Sequence, residues 1–163
     1  MALIILQSAT NEWVFTDVAD KEEYWHKGDI LAYNAESGKE IFIDVKDDKT
    51  IEKTNNFLAE HKVSYKSSGT TIDGFMQSAE YDYIAYMSRN DRKMYIIDFA
   101  WWRALYKGGI YKIIPHKEQI TYCYLNSLKF MKQYGVIIAE IDFHCNDIGN
   151  WEVKKLQEYV NLQ

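Results

Sequence analysis

Proline, cysteine and histidine are scarce in this chain, whose 163 residues include one proline, two cysteines and four histidines. Two cysteines, Cys123 and Cys145, allow one bridge at most, so we expect no disulfide framework and a reducing compartment. Four scattered histidines provide no Ser-His-Asp or Cys-His arrangement. His144-Cys145 has no second metal-binding pair at zinc-like spacing. The chain also has no Gly-rich phosphate-binding loop.

Long apolar runs are missing as well. The opening "ALIIL" is short and follows no Lys or Arg, so it predicts buried structure rather than a signal peptide or a membrane span. A composition of 47% hydrophobic and 15% aromatic residues excludes a disordered chain. We therefore expect one globular domain over residues 1–163, located in the cytoplasm with no membrane partner.

The net charge of -5 is unevenly distributed along the chain. Residues 1–60 carry 13 acids and 6 bases, whereas residues 89–117 carry seven bases and two acids. An acidic site for a divalent cation beside a basic stretch for phosphates would produce this asymmetry. The alternative is that the acidic and the basic segments are both ordinary solvated surfaces. The candidate nucleic-acid-binding residues are Arg89, Arg92, Lys93, Arg103 and Lys107.

Strand patterns dominate the first two-thirds of the chain. "DILAY" and "EIFIDVK" are joined by "NAESGK", and "YDYIAYM" and "KMYIIDF" by "SRNDR", so each pair predicts an antiparallel hairpin. "VIIAEIDF" predicts another strand. "AWWRALYK" predicts a helix ended by Gly108-Gly109, "YCYLNSLKFMKQYG" a longer helix ended by Gly135, and "WEVKKLQEYV" an amphipathic terminal helix. The predicted fold is a mixed α/β (α+β) domain around a hairpin-rich sheet flanked by helices.

Three charged residues in the first hairpin form the candidate site. Alternation along "IFIDVK" places Asp44 and Lys46 on one face of the strand and Ile41, Ile43 and Val45 on the other. The 15 positions from Asp29 to Asp44 accommodate two strands and a turn, so Asp29 should return beside Asp44. Two converging carboxylates suit Mg²⁺ or Mn²⁺, and Lys46 would orient a water or stabilise charge on a phosphate. The alternative is a surface hairpin with an exposed Asp44–Lys46 ion pair.

"GDI" and "IDVK" together resemble the PD-(D/E)xK nuclease superfamily, the restriction-endonuclease-like fold, in its phage and bacterial forms. In that family a metal-binding Asp begins one strand and an acid-x-Lys lies on the next. The resemblance implies a restriction-endonuclease-like core that cleaves DNA with Mg²⁺ or Mn²⁺. It also implies that Asp29 and Asp44 are metal ligands and that Lys46 is catalytic.

The resemblance extends over about residues 20–107. "TNNFLAE" is similar to a Thr-Gly-Asn-like segment followed by an acid on the third strand, which makes Thr54, Asn56 and Glu60 second-tier site candidates. Without the family, "IEKTNNFLAEHK" could as well be a helix with an exposed Glu60. Two features depart from the pattern. The chain leaves little room for the usual helix before the first motif, and Gly28 replaces the proline.

The expected function is therefore that of a metal-dependent nuclease acting on DNA. Cutting both strands of a duplex needs two sites, which a homodimer would provide. The first alternative is a catalytically degenerate module of the same fold that binds nucleic acid or protein. The second is a phage accessory protein without a nucleic-acid partner. The form of the nucleic acid stays open.

Overall fold

The computed structural model describes residues 1–146 and 150–159. Its strands form a seven-stranded mixed sheet and a four-stranded antiparallel sheet, so the chain has a mixed α/β fold. The strands are β1 (Trp13–Asp17), β2 (Ile30–Asn34), β3 (Glu40–Asp47), β4 (Asn56–Tyr65), β5 (Thr71–Asp73), β6 (Tyr83–Ser88), β7 (Lys93–Asp98), β8 (Ile110–Pro115), β9 (Gln119–Ser127), β10 (Ile137–Cys145) and β11 (Trp151–Glu158).

The large sheet has the order β1-β2-β3-β6-β7-β10-β11. Its pairs are antiparallel except β3 and β6, which run parallel with Asp44 opposite Ile84. A parallel pair needs a crossover connection. Here the crossover contains β4 and β5, which belong to the small sheet of order β5-β4-β9-β8. The crossover thus brings the small sheet beside the strand that carries Asp44.

The helices are short and lie at the ends of strands. They are α1 (Ala2–Ala9), α2 (Lys49–Thr54), α3 (Phe75–Ser78), α4 (Phe99–Leu105) and α5 (Leu128–Gln133). Asp98 and Ser127 cap the N-termini of α4 and α5, because their side chains accept hydrogen bonds from Trp101 N and Phe130 N. None of the helices in the described ranges is long and apolar enough to cross a membrane.

Two hydrophobic clusters cover opposite faces of the large sheet. One contains Trp102 and the side chains that join the small sheet to the large one, and Phe42 packs against it. The other contains Ile5 and Leu6 of α1 together with Ile43. Ile41 and Val45 pack against this second cluster. The predicted division of β3 into two faces is therefore confirmed. The "ALIIL" segment is buried in part, at Ala2, Ile5 and Leu6, whereas Ile4 is exposed.

Both predicted hairpins are confirmed, as β2–β3 and β6–β7. The strand prediction for "VIIAEIDF" is confirmed by β10, and the helix prediction for "AWWRALYK" by α4, which is followed by a 3₁₀ turn at Tyr106–Gly108. Gly135 follows α5 at a φ of 63°, as expected of a helix-terminating glycine.

Two helix predictions are wrong. The segment "YCYLNSLKFMKQYG" forms the end of strand β9 followed by the short helix α5. In β9 every second side chain, such as Thr121 and Cys123, is buried, and the strand pairs with β4. "WEVKKLQEYV" is strand β11 from Trp151 to Glu158, paired with β10, and Val160 lies outside the described residues. In both cases pairing with a neighbouring strand overrides the helical spacing of the apolar residues.

Candidate functional site

Gly28 sets the conformation at the start of the site. Its φ of 128° is one that only glycine adopts readily, and a Cβ there would lie 2.8 Å from Ile43 O. Proline fixes φ near -65° and could not adopt this backbone. The glycine in "GDI" is thus required by the close approach of two strands. The next residue, Asp29, donates its N–H to Ile43 O at 3.0 Å.

The Asp29 carboxylate reaches across the β2–β3 hairpin. Its Oδ2 accepts a hydrogen bond from Val45 N at 2.8 Å. Val45 lies between Asp44 and Lys46 in the sequence, so this bond holds Asp29 beside the Asp-x-Lys segment. Asp29 thus lies next to the β3 backbone between Asp44 and Lys46, and it lines a surface pocket with Val45 and Asp47. That the Asp29 and Asp44 side chains converge stays a prediction.

Asp44 and Lys46 form an ion pair on one face of β3. Lys46 Nζ lies 2.8 Å from Asp44 Oδ2, and the side chains are 32% and 13% exposed, so the pair is not an ordinary surface one. Apart from this pairing, Asp44 Oδ2 accepts no hydrogen bond from the described residues. Lys46 Nζ also lies 4.9 Å from the centre of the Phe75 ring.

The electrostatics of Asp44 combine opposing effects. Burial raises the pKa of Asp44, the charge and hydrogen bond of Lys46 lower it, and the negative charge of Asp29 raises it again. The net direction is upward, so the fold disfavours the ionised carboxylate relative to water despite the neighbouring ammonium. A cation at this position would relieve that penalty.

Glu60 lies on β4 and approaches the same group from the small sheet. Burial raises the pKa of Glu60, whereas the charge of Lys46 and a hydrogen bond from the backbone N–H of Phe75 lower it, with a net upward shift. A Cβ on Gly74 would lie 2.7 Å from Glu60 Cγ, which shows how closely this turn packs on the Glu60 side chain. The structure thus places Glu60 on a strand and within electrostatic reach of Lys46, as the family resemblance implied.

Tyr81 also belongs to this group, although no sequence pattern assigned it a role. Burial raises the pKa of Tyr81 far above its usual value. The negative charges of Asp44, Glu60 and Asp29 raise it further, whereas the charge of Arg103 lowers it. Tyr81 is 7% exposed, and its hydroxyl has no hydrogen-bond partner among the described residues. Its position before β6 brings it to the site through the β3–β6 parallel pairing, which no local sequence pattern reveals.

Thr54 and Asn56 lie at the junction of α2 and β4. Asn56 N donates to Thr54 Oγ1 at 3.3 Å, and its side-chain amide donates to Thr54 O at 2.9 Å. Asn55 between them has a φ of 52°, the left-handed conformation that the glycine of the family segment would supply. These two candidates shape the start of β4, and Thr54 and Asn55 line a surface pocket with Ser127 and Lys132.

The five basic candidates do not lie together. Arg89, Arg92 and Lys93 are at the turn of the β6–β7 hairpin, whereas Arg103 and Lys107 follow the opposite end of β7. Arg89 pairs with Asp47, and Lys93 pairs with Glu140 and Asp142. Arg103 donates to Ala79 O and lies close enough to Tyr81 to influence its pKa. Arg103 therefore lies near Tyr81, whereas Arg89 lines a surface pocket together with Asp29 and Asp47.

The carboxylates fit a hydrated cation better than a fully protein-bound one. No group of three or more His, Cys, Asp or Glu residues in the described parts of the chain is arranged to hold a metal ion. Mg²⁺, however, is commonly bound by one or two carboxylates, with waters and substrate phosphates as its other ligands. Asp44 and Asp29 are carboxylates of the kind this donor set uses, with Asp44 Oδ2 paired with Lys46 and Asp29 Oδ2 bonded to Val45 N.

No protein-family model matches this chain, and comparisons with curated proteins and with solved structures likewise find no match.

Proposed function

We propose that this chain is a metal-dependent nuclease that hydrolyses DNA phosphodiester bonds at the site of Asp29, Asp44 and Lys46. The observation that carries the proposal is an ion pair on β3 between a buried Asp44 and a half-buried Lys46, with Asp29 bonded to the residue between them. This is the arrangement that the resemblance to the restriction-endonuclease-like proteins implied. An incidental surface ion pair would not be so buried.

In this proposal Asp29 and Asp44 hold Mg²⁺ or Mn²⁺. When bound, the cation would polarise the phosphate and make a bound water more acidic. Asp44 is suited to this role because burial and the charge of Asp29 both disfavour its ionised form without a cation. Glu60 would be a third carboxylate near Lys46, whose charge lowers the pKa of Glu60.

Lys46 would stabilise negative charge that develops on the phosphate. Its ammonium is fixed between Asp44 and the Phe75 ring, so it needs little rearrangement to act. Preorganised charges of this kind are effective because they cost no reorganisation during the reaction. Arg103 is positioned to contact the DNA backbone near the same site.

Cleavage of labelled DNA tests this function. Duplex, single-stranded and branched substrates would be incubated with the protein in Mn²⁺, in Mg²⁺ and in EDTA. We expect cleavage of at least one substrate with metal, none in EDTA, and none above background with Asp44→Asn. Cleavage that persists in EDTA, or no cleavage of any substrate, would contradict the proposal.

A non-catalytic binding module is the second candidate, and the Lys46–Asp44 ion pair favours it. Because Lys46 already balances the charge of Asp44, the pair needs no cation for charge neutrality. Such a module would bind DNA in EDTA with an affinity that falls steeply with salt, and it would cleave nothing. Anisotropy measurements on labelled DNA at several salt concentrations separate it from the nuclease.

A further inference from the structure

One face of the small sheet carries aromatic and basic side chains around an open pocket of about 390 Å³. We call it the tyrosine face, and six residues from β4, β5, β8 and β9 line its pocket: His61, Lys62, Thr71, Tyr111, Tyr122 and Tyr124. The register of the strands explains why they meet. Tyr111 is directly opposite Tyr124. Lys62 is directly opposite Tyr122, and residues paired in this way project to the same side of a sheet.

The tyrosine rings of this face form a row that runs outward from the core. The ring centre of Tyr124 lies 5.3 Å from that of Tyr106 and 5.2 Å from that of Tyr111. Tyr106 is buried in the core, whereas Tyr111 is 48% exposed. The row therefore ends at the surface in an aromatic ring that is packed on its neighbours and still open to a ligand.

His61 ties this row to the rest of the fold. Its Nδ1 lies 3.0 Å from the Tyr106 hydroxyl and 2.7 Å from the side-chain nitrogen of Gln77 on α3. The same Gln77 nitrogen donates to His61 O at 2.8 Å. These bonds hold the tyrosine face in place without a ligand, and a preformed site loses less entropy on binding.

The charge at the tyrosine face favours an anion. Lys62 is exposed, and Lys107 Nζ lies 5.8 Å from the centre of the Tyr106 ring. Asp73, directly opposite Lys62 on β5, is an acidic neighbour. Burial and the charges of Lys107 and Lys62 lower the pKa of His61, whereas Asp73 raises it, with a net downward shift. Two lysines against one aspartate leave this face positive, although the whole chain carries -5.

Exposed rings beside lysines suit a single-stranded nucleic acid. An unpaired base stacks on an aromatic ring, and the neighbouring phosphates pair with basic side chains. Four-stranded sheets that display aromatic side chains on one face stack two or three bases in this way. A duplex cannot do so, because its bases already stack on one another. An apolar segment of a partner protein would make no use of the lysines.

We propose that the tyrosine face binds single-stranded nucleic acid, with a base stacked on Tyr111 and phosphates paired with Lys62 and Lys107. The site is made by the small sheet and does not depend on the proposed cleavage at Asp29, Asp44 and Lys46. The stacked base and the phosphates are common to DNA and RNA, so the sugar is a matter for the experiment.

Fluorescence anisotropy in EDTA tests the proposal. The probes are labelled oligothymidylate and oligouridylate of about 12 nucleotides, within the range of site sizes for single-strand-binding modules. The wild type should bind at least one of them, and the tighter of the two identifies the sugar. Failure to bind either probe would overturn the proposal. A labelled DNA duplex of the same length reports binding elsewhere on the protein.

Tyr111→Ala should weaken single-strand binding by about 5–150-fold, the effect of losing one base–ring stack, and leave duplex binding unchanged. Tyr111→Phe keeps the ring and should bind like the wild type. Tyr33→Ala is the matched control, because Tyr33 is a tyrosine of similar exposure, 41%, on the large sheet. Wild-type affinity in Tyr111→Ala, or an equal loss in Tyr33→Ala or for the duplex, would overturn the proposal.

Lys62→Ala tests the phosphate contact without altering a ring. Loss of one phosphate contact should reduce the slope of log affinity against log salt by about 0.7, the value for a single strand. Lys39→Ala, at an exposed lysine of the β2–β3 hairpin, should keep the wild-type slope. An unchanged slope in Lys62→Ala would contradict the proposal.

These measurements separate the tyrosine face from the nuclease function, because they are made without metal. A wild type that binds single strands through Tyr111 and cleaves no DNA keeps this site and loses the nuclease function. A wild type that cleaves DNA, with single-strand binding that is the same in Tyr111→Ala, keeps the nuclease function and loses this site.

Discussion

Asp29 and Val45 are joined across the β2–β3 hairpin by a 2.8 Å hydrogen bond from Val45 N to Asp29 Oδ2. Because Val45 separates Asp44 from Lys46, this bond fixes three charged side chains relative to one another on two strands. The hairpin and the conformation of Gly28 make the contact possible, so the site depends on the backbone as much as on its charges.

The first prediction concerns Gly28→Ala. We expect it to destabilise the protein by more than the roughly 1–3 kcal/mol that such backbone strain costs by itself, because the added Cβ also meets Ile43 O. Gly38→Ala is the control. Gly38 has a φ of 67° with open space around it, so only strain applies there. Urea denaturation of both variants measures the difference, and equal losses would show that the close approach at Gly28 is unimportant.

The β2–β3 hairpin could be predicted from the sequence because its turn residues and its alternation agree with the final packing. Asn34 supports the turn through its side chain, which accepts hydrogen bonds from Glu36 N and Ser37 N. The relation of Asp29 to Asp44 followed from the same local signals. Local propensity and tertiary structure point the same way in this part of the chain.

The strand state of β9 and β11 and the place of Tyr81 at the site could not be predicted from local sequence signals. β11 carries helix-compatible spacing, and its strand state depends on pairing with β10. The contribution of Tyr81 depends on the parallel β3–β6 pair, which forms over a crossover containing two strands of another sheet. The basic segment at residues 89–117 also looked continuous in the sequence, whereas strand β7 separates the bases of the β6–β7 turn from Arg103 and Lys107.

The second prediction concerns Asp44→Asn in the metal-free protein. The raised pKa of Asp44 means that its ionised form opposes folding at neutral pH, so the variant should melt higher than the wild type. Relief of this kind commonly yields about 0.5–2 kcal/mol. The difference should shrink as the pH falls below the usual range of a carboxyl group, where Asp44 is protonated in both states.

Mn²⁺ should raise the melting temperature of the wild type but not that of Asp44→Asn, since only a folded protein with an intact site gains from binding. Melting curves at pH 7 with and without Mn²⁺ give both results. A lower melting temperature for metal-free Asp44→Asn, with no effect of Mn²⁺ on the wild type, would leave Asp44 as a structural ion-pair partner.

The third prediction is that Lys46→Ala cleaves DNA about 10²–10³-fold more slowly than the wild type while its affinity for Mn²⁺ stays nearly unchanged. Lys46 contributes charge near the phosphate rather than a metal ligand. Lys39→Ala, an exposed lysine in the same hairpin, should cleave at the wild-type rate. Single-turnover assays measure the rates, and equal rates for the two variants would remove Lys46 from the mechanism.

The fourth prediction concerns Glu140, which lies outside the candidate site. Burial by itself would raise the pKa of Glu140, but hydrogen bonds from Lys132, Tyr159 and Lys93 outweigh this effect and lower the pKa to about 2. Because the folded pKa lies below the unfolded value of 4.5, Glu140 stabilises the fold above about pH 4.5. This contribution is lost as the pH falls towards 2.

Glu140→Gln should therefore cost about 1.5–3 kcal/mol at pH 7, in the range for hydrogen bonds to a charged group, and progressively less in acid. Glu158→Gln, at an exposed position on β11, should change little. Chemical denaturation from pH 7 to pH 3 measures both. A loss for Glu140→Gln that does not depend on pH would mean that packing, rather than charge, gives Glu140 its effect.

Calorimetric titration of Mn²⁺ into the wild type, Asp44→Asn and Asp142→Asn tests most directly whether Asp44 is a metal ligand. Asp142 is an ion-paired aspartate of the same sheet, bonded to Lys93 at 2.9 Å, so its variant controls for the loss of a paired carboxylate. We predict one binding event in the wild type and in Asp142→Asn, and none in Asp44→Asn. No binding to the wild type, or equal binding to all three proteins, would contradict the account.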